Sequence, residues 1–289
     1  MELVSLRSTD HRALDTAIDA LETDGALIVR DAVDVEFLRH LKQRMDDDTV
    51  RLLAYCESIG GNPRDSGQLQ QGAPPFPPYL HTDLLAHPFV WAIIGRLLTP
   101  RAGLIFYNGN TNCPGSEPQH VHLDQGHKSS TASPIRALVL GIAPQPTSAR
   151  NGAIEIWPGT HTIVCPQRVP ATVLAERRSL RPPFQVETRL GDILVRDARL
   201  WHRAVTNPSD ELRHMVSCVY HAHPKGPVTL DHRARAFVDS TVVNLNAVFA
   251  DQAEDYLFGP TRWLYEARER PAAAFRESND PIARPLADI

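Results

Sequence analysis

The sequence predicts an α+β protein in which helices come first and a β-sandwich or barrel core follows. Up to about residue 100, apolar residues recur at helical spacing, whereas from Gly103 onward short apolar segments alternate with turns. With 289 residues and 42% hydrophobic residues, the chain can bury a substantial core. We therefore expect one domain over residues 1–289, with helical support over 1–100, a strand core over 101–222 and a C-terminal cover and tail over 223–289.

The first helix is predicted to follow capping candidates at residues 8–10 and to end at Asp24-Gly25. Glycine suits a helix end because it adopts the left-handed backbone conformation without a steric cost. The apolar run over residues 26–29 then predicts a short buried strand.

Two further helices and a long loop are predicted before residue 100. Asp34 can cap the second helix, and Pro88 suits the first turn of the third. Residues 60–82 lie between these helices and are rich in Gly, Pro and Gln, which predicts a loop. Loops of this length are often lids over a site, so a lid and a plain connection both remain open.

Five segments after residue 100 are predicted as strands of the core, and one of them carries Ile154 and Ile156 before the turn at Pro158-Gly159. Residues 135–143 are apolar enough for a central strand, and others are predicted near 191–195 and 213–221. Side chains alternate across a strand. The strand that begins near residue 103 is therefore expected to carry four residues on one side: Leu104, Phe106, Asn108 and Asn110.

The segment His122-Leu123-Asp124 carries the strongest chemical signal. Two residues at positions i and i+2 of an extended chain point to the same side. His202 follows the strand near 191–195 after a short link, and it can meet the pair if its own strand packs opposite. Two imidazoles and one carboxylate on one face of a metal form the facial triad of non-heme Fe(II) oxygenases, with other positions open.

Arg213 adds a guanidinium at the start of the strand that follows His202. Such a group can bind a carboxylate through two parallel hydrogen bonds. Together with the triad, Arg213 suggests an iron enzyme that consumes an organic acid as co-substrate.

The other histidines are expected to be structural or exposed. Because the chain has 13 histidines, an HxD pair alone is a weak signal. His120 should lie on the surface if His122 points inward, His214 should face outward beside Arg213, and His161 is expected to fix a turn. The four cysteines form no CxxC pair, so a structural zinc site is not predicted.

Residues 14–222 resemble the phytanoyl-CoA dioxygenase family of Fe(II)/2-oxoglutarate-dependent oxygenases. The resemblance rests on the order and spacing of His122-x-Asp124, the segment Asn-Gly-Ala-Ile-Glu-Ile-Trp-Pro-Gly-Thr-His over 151–161, Gly-Asp-Ile-Leu over 191–194, His202 and Arg213. It implies a double-stranded β-helix, which is a jelly-roll or cupin-like core, with N-terminal and flanking helices.

The resemblance also implies the cofactors and the residues that bind them. Fe(II), 2-oxoglutarate and O2 are expected, with Arg213 binding the distal carboxylate of 2-oxoglutarate. Leu140 stands where the well-studied mammalian type has a tryptophan beside the co-substrate. The catalytic iron ligands are expected to be His122, Asp124 and His202, and the candidates for a further co-substrate contact are Asn108 and Asn110.

The activity that the resemblance implies is hydroxylation or desaturation of a small organic molecule, with release of succinate and CO2. Family members of this length often act in natural-product biosynthesis. Residues 60–82, 162–188 and 223–265 are expected to roof the pocket. Three alternatives remain open: an acyl-CoA hydroxylase of the same family, a non-catalytic protein that binds metal or 2-oxoglutarate, and a cupin-like isomerase or hydrolase with another metal.

The sequence argues against nucleic-acid binding, a membrane span and secretion. A net charge of −4 gives no basic surface for nucleic acid. The chain has no apolar run of about 18 residues for a membrane span and no basic and apolar secretory signal at its N-terminus. Reduced thiols fit a cytoplasmic protein, which we expect to be a monomer or homodimer that binds a small-molecule substrate.

Overall fold

The computed structural model of the chain describes residues 2–7, 12–61, 66–127, 134–241, 243, 245–252 and 255–269. The predicted capping residues at 8–10 and the predicted polar tail lie outside the described residues. No helix in the described ranges is both long enough and apolar enough to cross a bilayer.

The helices concentrate before residue 100, as the sequence predicts. Asp34 caps the second helix by accepting a hydrogen bond from the Phe37 backbone N–H at 2.6 Å, and Pro88 begins the fourth. The short third helix was not predicted. The described helices are α1 (Ala13–Thr23), α2 (Val35–Ser58), α3 (Thr82–Ala86), α4 (Pro88–Leu97), α5 (Ala171–Leu180), α6 (Arg235–Asp239) and α7 (Asp255–Glu269).

The strands mostly follow residue 100, as predicted for an α+β protein. The described strands are β1 (Ser5–Leu6), β2 (Ala26–Val29), β3 (Gln68–Leu69), β4 (Gly103–Asn112), β5 (Ala137–Ile142), β6 (Glu155–Ile156), β7 (Phe184–Gln185), β8 (Ile193–Asp197), β9 (His202–Arg203), β10 (Arg213–His221), β11 (Val228–Asp231) and β12 (Ala247–Ala250).

A large seven-stranded sheet forms the framework, in the order β1-β2-β8-β5-β10-β4-β3. All its neighbours pair antiparallel except β1 and β2. A smaller sheet has the order β7-β6-β9. The predicted central strand is confirmed, because all six residues of β5 are buried between β8 and β10.

The helices α1, α2 and α4 cover one face of the large sheet. Their apolar side chains form one cluster with alternate residues of the central strands, such as Leu138, Leu140, Val216 and Cys218. Because side chains alternate along a strand, the intervening residues, such as Val139 and Val219, lie on the opposite face of the sheet. That opposite face carries the candidate site.

A β-bulge corrects the predicted alternation along β4. Val219 pairs with Phe106 whereas Tyr220 pairs with Leu104, so Ile105 is an extra residue on β4. Leu104 therefore lies in the cluster under the helices, while Phe106 packs with residues of the opposite face. The prediction that both residues share a side is wrong because alternation assumes an uninterrupted ladder.

Gly25 ends α1 where the sequence predicts and has a φ of +77°. A Cβ added there would lie 2.5 Å from His161 Nδ1. We expect Gly25→Ala to lower the free energy of unfolding by at least about 1–2 kcal/mol, because a left-handed backbone alone costs that much for alanine. The check is urea unfolding followed by circular dichroism.

Gly95→Ala is the matched control for Gly25→Ala. Gly95 lies inside α4, and a Cβ added there would meet nothing within 4 Å. Alanine is the better helix former by roughly 0.5–1 kcal/mol, so this variant should be at least as stable as wild type. Equal losses in the two variants would contradict the steric account of Gly25.

Candidate metal centre

The backbone places the two predicted histidine ligands directly opposite each other. His122 N donates to His202 O at 3.0 Å, and His202 N donates to His122 O at 3.0 Å. Residues that exchange both hydrogen bonds in an antiparallel pair project to the same side. The two imidazole centroids accordingly lie 4.4 Å apart, although 80 positions separate the residues in sequence.

Asp124 completes the group from the same extended segment as His122. Its Oδ1 lies 3.4 Å from His202 Nε2 and 3.9 Å from His122 Nε2. One ligand atom from each of the three residues falls within 4.8 Å of the other two. The structure therefore brings together all three residues that the sequence predicts as a triad.

Hydrogen bonds fix both imidazoles with Nε2 directed to the site. His122 Nδ1 lies 2.8 Å from the His120 carbonyl, and His202 Nδ1 lies 2.9 Å from the Leu200 carbonyl. A carbonyl accepts only, so each Nδ1 carries a proton, and Nε2 is the atom of each ring that is placed to bind a metal. This second contact is the usual way in which proteins orient a metal-binding histidine.

Electrostatics favour the protonation states that bind metal. Partial burial, together with the nearby His202, lowers the pKa of His122 to about 4, so the imidazole is neutral at pH 7. Burial opposes ionisation of Asp124, but Arg196 and His202 outweigh it and hold its pKa well below the usual range. Neutral imidazoles and an ionised carboxylate are the ligating forms.

Arg213 begins β10 and is 1% exposed. Its Nη1 donates to Asn110 Oδ1 at 3.2 Å, while its buried Nε has no hydrogen-bond partner within the part of the chain that the structure describes. Burial lowers its pKa to about 10, so it remains a cation at pH 7. Among the described residues it has no carboxylate partner, and a buried cation in this state requires an anion.

The triad and Arg213 line one cavity of about 200 Å³ between the two sheets. Two of its lining residues, Gln119 and His122, also line a wider outer cleft of about 680 Å³. The inner cavity is polar at the triad. Its other lining residues include an apolar wall, formed by Phe106, Val139, Ile154, Met215 and Val219.

Arg196 is the functional residue that the sequence reading missed. It lies on β8, lines the cavity, and donates from Nη2 to Asp124 Oδ2. The side chains of Arg196 and Asp124 are 8% and 16% exposed. The available signal was that Arg196 directly follows the apolar run Ile-Leu-Val over 193–195, in a strand that is expected to be buried. A buried arginine is rare without a partner, so its position could have indicated one.

The structure separates the two asparagines that were candidates for co-substrate contact. Asn110 lies in the cavity beside Arg213. Asn108 instead lines a different cavity, of about 60 Å³, with Tyr107 and Tyr256, and its Oδ1 accepts from the Gly109 backbone N–H at 2.8 Å. Asn110 is therefore the better placed of the two asparagines. The contact of Asn108 with the co-substrate stays a prediction, because its ladder partner Ser217 lines the inner cavity.

Leu140 also lies outside the cavity. It packs in the cluster under the helices, while its neighbour Val139 lines the site. The residue of β5 that faces the cavity is therefore Val139, because side chains alternate across the strand.

The three predicted roof segments have different roles. Gln68, Leu69 and Gln70 line the inner cavity, and Gln167 and Arg168 line the outer cleft. No described residue of 223–265 lines either space, so the cover that this segment is expected to form stays a prediction. Its residues border the smaller cavity at Asn108 instead.

The first of these segments is a wall and not a free lid in its described part. Gln68 and Leu69 pair with β4. Gln71 is 0% exposed and donates from Nε2 to the Met45 carbonyl at 2.7 Å. Such contacts hold residues 68–71 between α2 and the sheet.

His214 points away from the cavity, as predicted, but it is buried and not exposed. Its Nε2 lies 2.9 Å from Asp46 Oδ1, and its Nδ1 lies 2.7 Å from Thr111 Oγ1. The helix α2 covers this face of the sheet. Strand alternation predicts which face a side chain lies on, but it does not show whether another element covers that face. The prediction that His214 faces solvent is therefore corrected.

The remaining histidine predictions agree with the structure. His120 is exposed. His161 is buried in a turn, where its Nε2 lies 3.2 Å from the Glu22 carbonyl. This contact ties the turn at residues 160–162 to the end of α1.

The donor set suits a divalent first-row transition metal. Two imidazole nitrogens and a carboxylate oxygen on one side leave the other positions open to the cavity, which is the facial-triad pattern. The unpaired Nε of Arg213 in the same cavity wall fits a carboxylate of a second ligand. The residues present therefore fit both a ferrous ion and an organic acid beside it.

Comparison with known proteins gives relatives with low sequence identity over most of the chain. The dioxygenase andF of Emericella variicolor is 22% identical over 73% of this chain and 75% of its own length. The dioxygenase cdmA of Talaromyces verruculosus is 25% identical over 78% of this chain and 79% of its own.

A solved structure shares the fold. AviO1 from Streptomyces viridochromogenes Tue57 superposes with a TM-score of 0.53 at 19% identity, over 76% of this chain and 99% of that one. The family model described as phytanoyl-CoA dioxygenase (PhyH) matches residues 21–215, which include the triad and Arg213. A match over more than half of the sequence establishes membership: this chain belongs to the phytanoyl-CoA dioxygenase family.

Proposed function

We propose that this protein is an Fe(II)- and 2-oxoglutarate-dependent oxygenase that oxidises a small organic molecule. The observation that carries the proposal is the convergence of three side chains able to bind a metal within 4.8 Å, in one cavity with Arg213, which is buried and has no carboxylate partner among the described residues. Family membership supports it. An isomerase or hydrolase with another metal gives Arg213 no clear role.

His122 Nε2, His202 Nε2 and Asp124 Oδ1 would hold the metal. Ferrous iron at this site would supply dioxygen-dependent oxidation of a substrate C–H bond, by hydroxylation or desaturation, coupled to conversion of 2-oxoglutarate into succinate and CO2. The chain's contribution is to hold, orient and shield the reactants.

Arg213 would bind the distal carboxylate of 2-oxoglutarate, and Asn110 would hold the guanidinium in place through its Oδ1. A charge-assisted pair of this kind contributes roughly 1.5–3 kcal/mol. The apolar wall at Val139, Met215 and Val219 would exclude water from the reacting atoms.

We further propose that residues 1–289 form one oxygenase domain with a double-stranded β-helix core. The position of the cavity supports this assignment, since β4, β5, β8 and β10 of the large sheet and β9 of the smaller sheet all contribute to its walls. We propose a medium-sized substrate from natural-product biosynthesis, as the family resemblance implies. Gln119 and His122 border both spaces, so a molecule larger than the inner cavity could extend into the outer cleft.

The direct test is oxygen-dependent conversion of 2-oxoglutarate to succinate by the purified protein loaded anaerobically with Fe(II). We expect slow succinate release without a substrate and faster release with an oxidisable one, measured by mass spectrometry. No succinate with any compound of a broad metabolite panel would favour a non-catalytic binding protein. Acceleration by acyl-CoA thioesters alone would reassign the substrate class.

A further inference from the structure

Arg196 has bonding capacity that its contact with Asp124 does not use. Its Nη2 binds Asp124 Oδ2, but its Nη1 is buried and has no hydrogen-bond partner in the described part of the chain. The residue is only 7% exposed and lines the same cavity as the triad. A buried guanidinium N–H without an acceptor is costly, and the described residues leave this donor unsatisfied in a side chain that lines the cavity.

The charges of the cavity also indicate a missing anion. At neutral pH its described lining carries two cations, Arg196 and Arg213, and one anion, Asp124. A metal dication and the 2-oxoglutarate dianion would cancel each other. One unit of positive charge would then remain in a largely buried space, which is unfavourable without a further anion.

We propose that Arg196 is a second carboxylate-binding residue of the cavity, and that the molecule it binds is the substrate, an organic acid. This inference rests on the proposed function. A carboxylate could reach Arg196 from the substrate or from the metal-proximal end of 2-oxoglutarate. The charge balance favours the substrate, because the 2-oxoglutarate dianion is already matched by the metal charge.

The experiment compares an acid with its neutral analogue on the metal-loaded protein. Zinc replaces iron so that no turnover occurs, and 2-oxoglutarate is present throughout. The probes are 4-fluorophenylacetate and 4-fluorophenylacetamide, which share a skeleton and differ in charge, and binding is followed by ¹⁹F NMR. Calorimetry of zinc and then 2-oxoglutarate comes first, because failure at that step would refute the proposed function and not this inference.

We expect wild type to bind the acid at least about tenfold more tightly than the amide. Arg196→Gln removes the charge and keeps an N–H donor for Asp124. It should weaken binding of the acid by roughly 10- to 100-fold, while the amide and 2-oxoglutarate bind as they do to wild type. Arg196→Lys retains the charge, so it should recover part of the preference for the acid. This recovery would show that the glutamine variant loses acid binding because the charge is missing and not because the protein is misfolded.

Arg150→Met is the matched control, because Arg150 is exposed, lines neither the inner cavity nor the outer cleft, and its loss removes the same charge. This control should keep the acid preference. Equal binding of acid and amide by wild type would overturn the proposal. Loss of 2-oxoglutarate affinity in Arg196→Gln, with the acid preference intact, would also overturn it by assigning Arg196 to the co-substrate.

Discussion

Replacing Arg213 by methionine is expected to weaken 2-oxoglutarate binding by roughly 10- to 150-fold, which corresponds to the loss of one charge-assisted pair. Metal affinity should stay unchanged, because Arg213 contacts none of the three triad residues. Calorimetric titration of 2-oxoglutarate into the zinc-loaded protein measures the first quantity, and titration of zinc into the apoprotein measures the second.

The same substitution should not lower the free energy of unfolding of the apoprotein. Arg213 is 1% exposed and has no carboxylate partner among the described residues, so its burial is a cost that methionine avoids. Greater stability with weaker 2-oxoglutarate binding would be the mark of a residue retained for a ligand. A large loss of stability would mean that Arg213 is structural.

Arg213→Lys separates charge from geometry. A lysine keeps the positive charge but lacks the planar pair of donors that matches a carboxylate. We expect an affinity for 2-oxoglutarate between those of wild type and the methionine variant. If the lysine variant binds as weakly as the methionine variant, two-point hydrogen bonding dominates and charge contributes little.

The elements with strong local signals could be predicted from the sequence. The cap at Asp34, the helix end at Gly25 and the buried strand over 137–142 each depend on nearby residues, and each is confirmed. The grouping of His122, Asp124 and His202 was also predictable, because spacing and the family resemblance point to the same residues. The structure brings these three together, and their role as metal ligands stays a proposal.

Features that depend on contacts between distant segments were not predictable in the same way. The bulge at Ile105 depends on how β10 pairs with β4, and the burial of His214 depends on α2 lying over the sheet. The choice between Asn110 and Asn108 has a similar origin, since only the packed structure shows that Asn110 lies beside Arg213 in the inner cavity.

The largest expected effect is that of replacing Asp124 by alanine, which should abolish metal binding and destabilise the apoprotein. Removing one partner of a buried ion pair leaves the other charge uncompensated, at a cost of about 3–5 kcal/mol. Here the remaining charge is Arg196, whose side chain is 8% exposed. Urea unfolding and zinc titration provide the two measurements.

The double variant Asp124→Ala/Arg196→Met distinguishes these two consequences. Because it removes both charges, it should recover most of the free energy of unfolding that Asp124→Ala loses, while metal binding stays abolished. Restored stability without restored metal binding would show that Asp124 has two separate tasks, one oxygen neutralising Arg196 and the other serving the metal. A double variant no more stable than Asp124→Ala would contradict the ion pair, and zinc affinity retained in either variant would remove Asp124 from the metal centre.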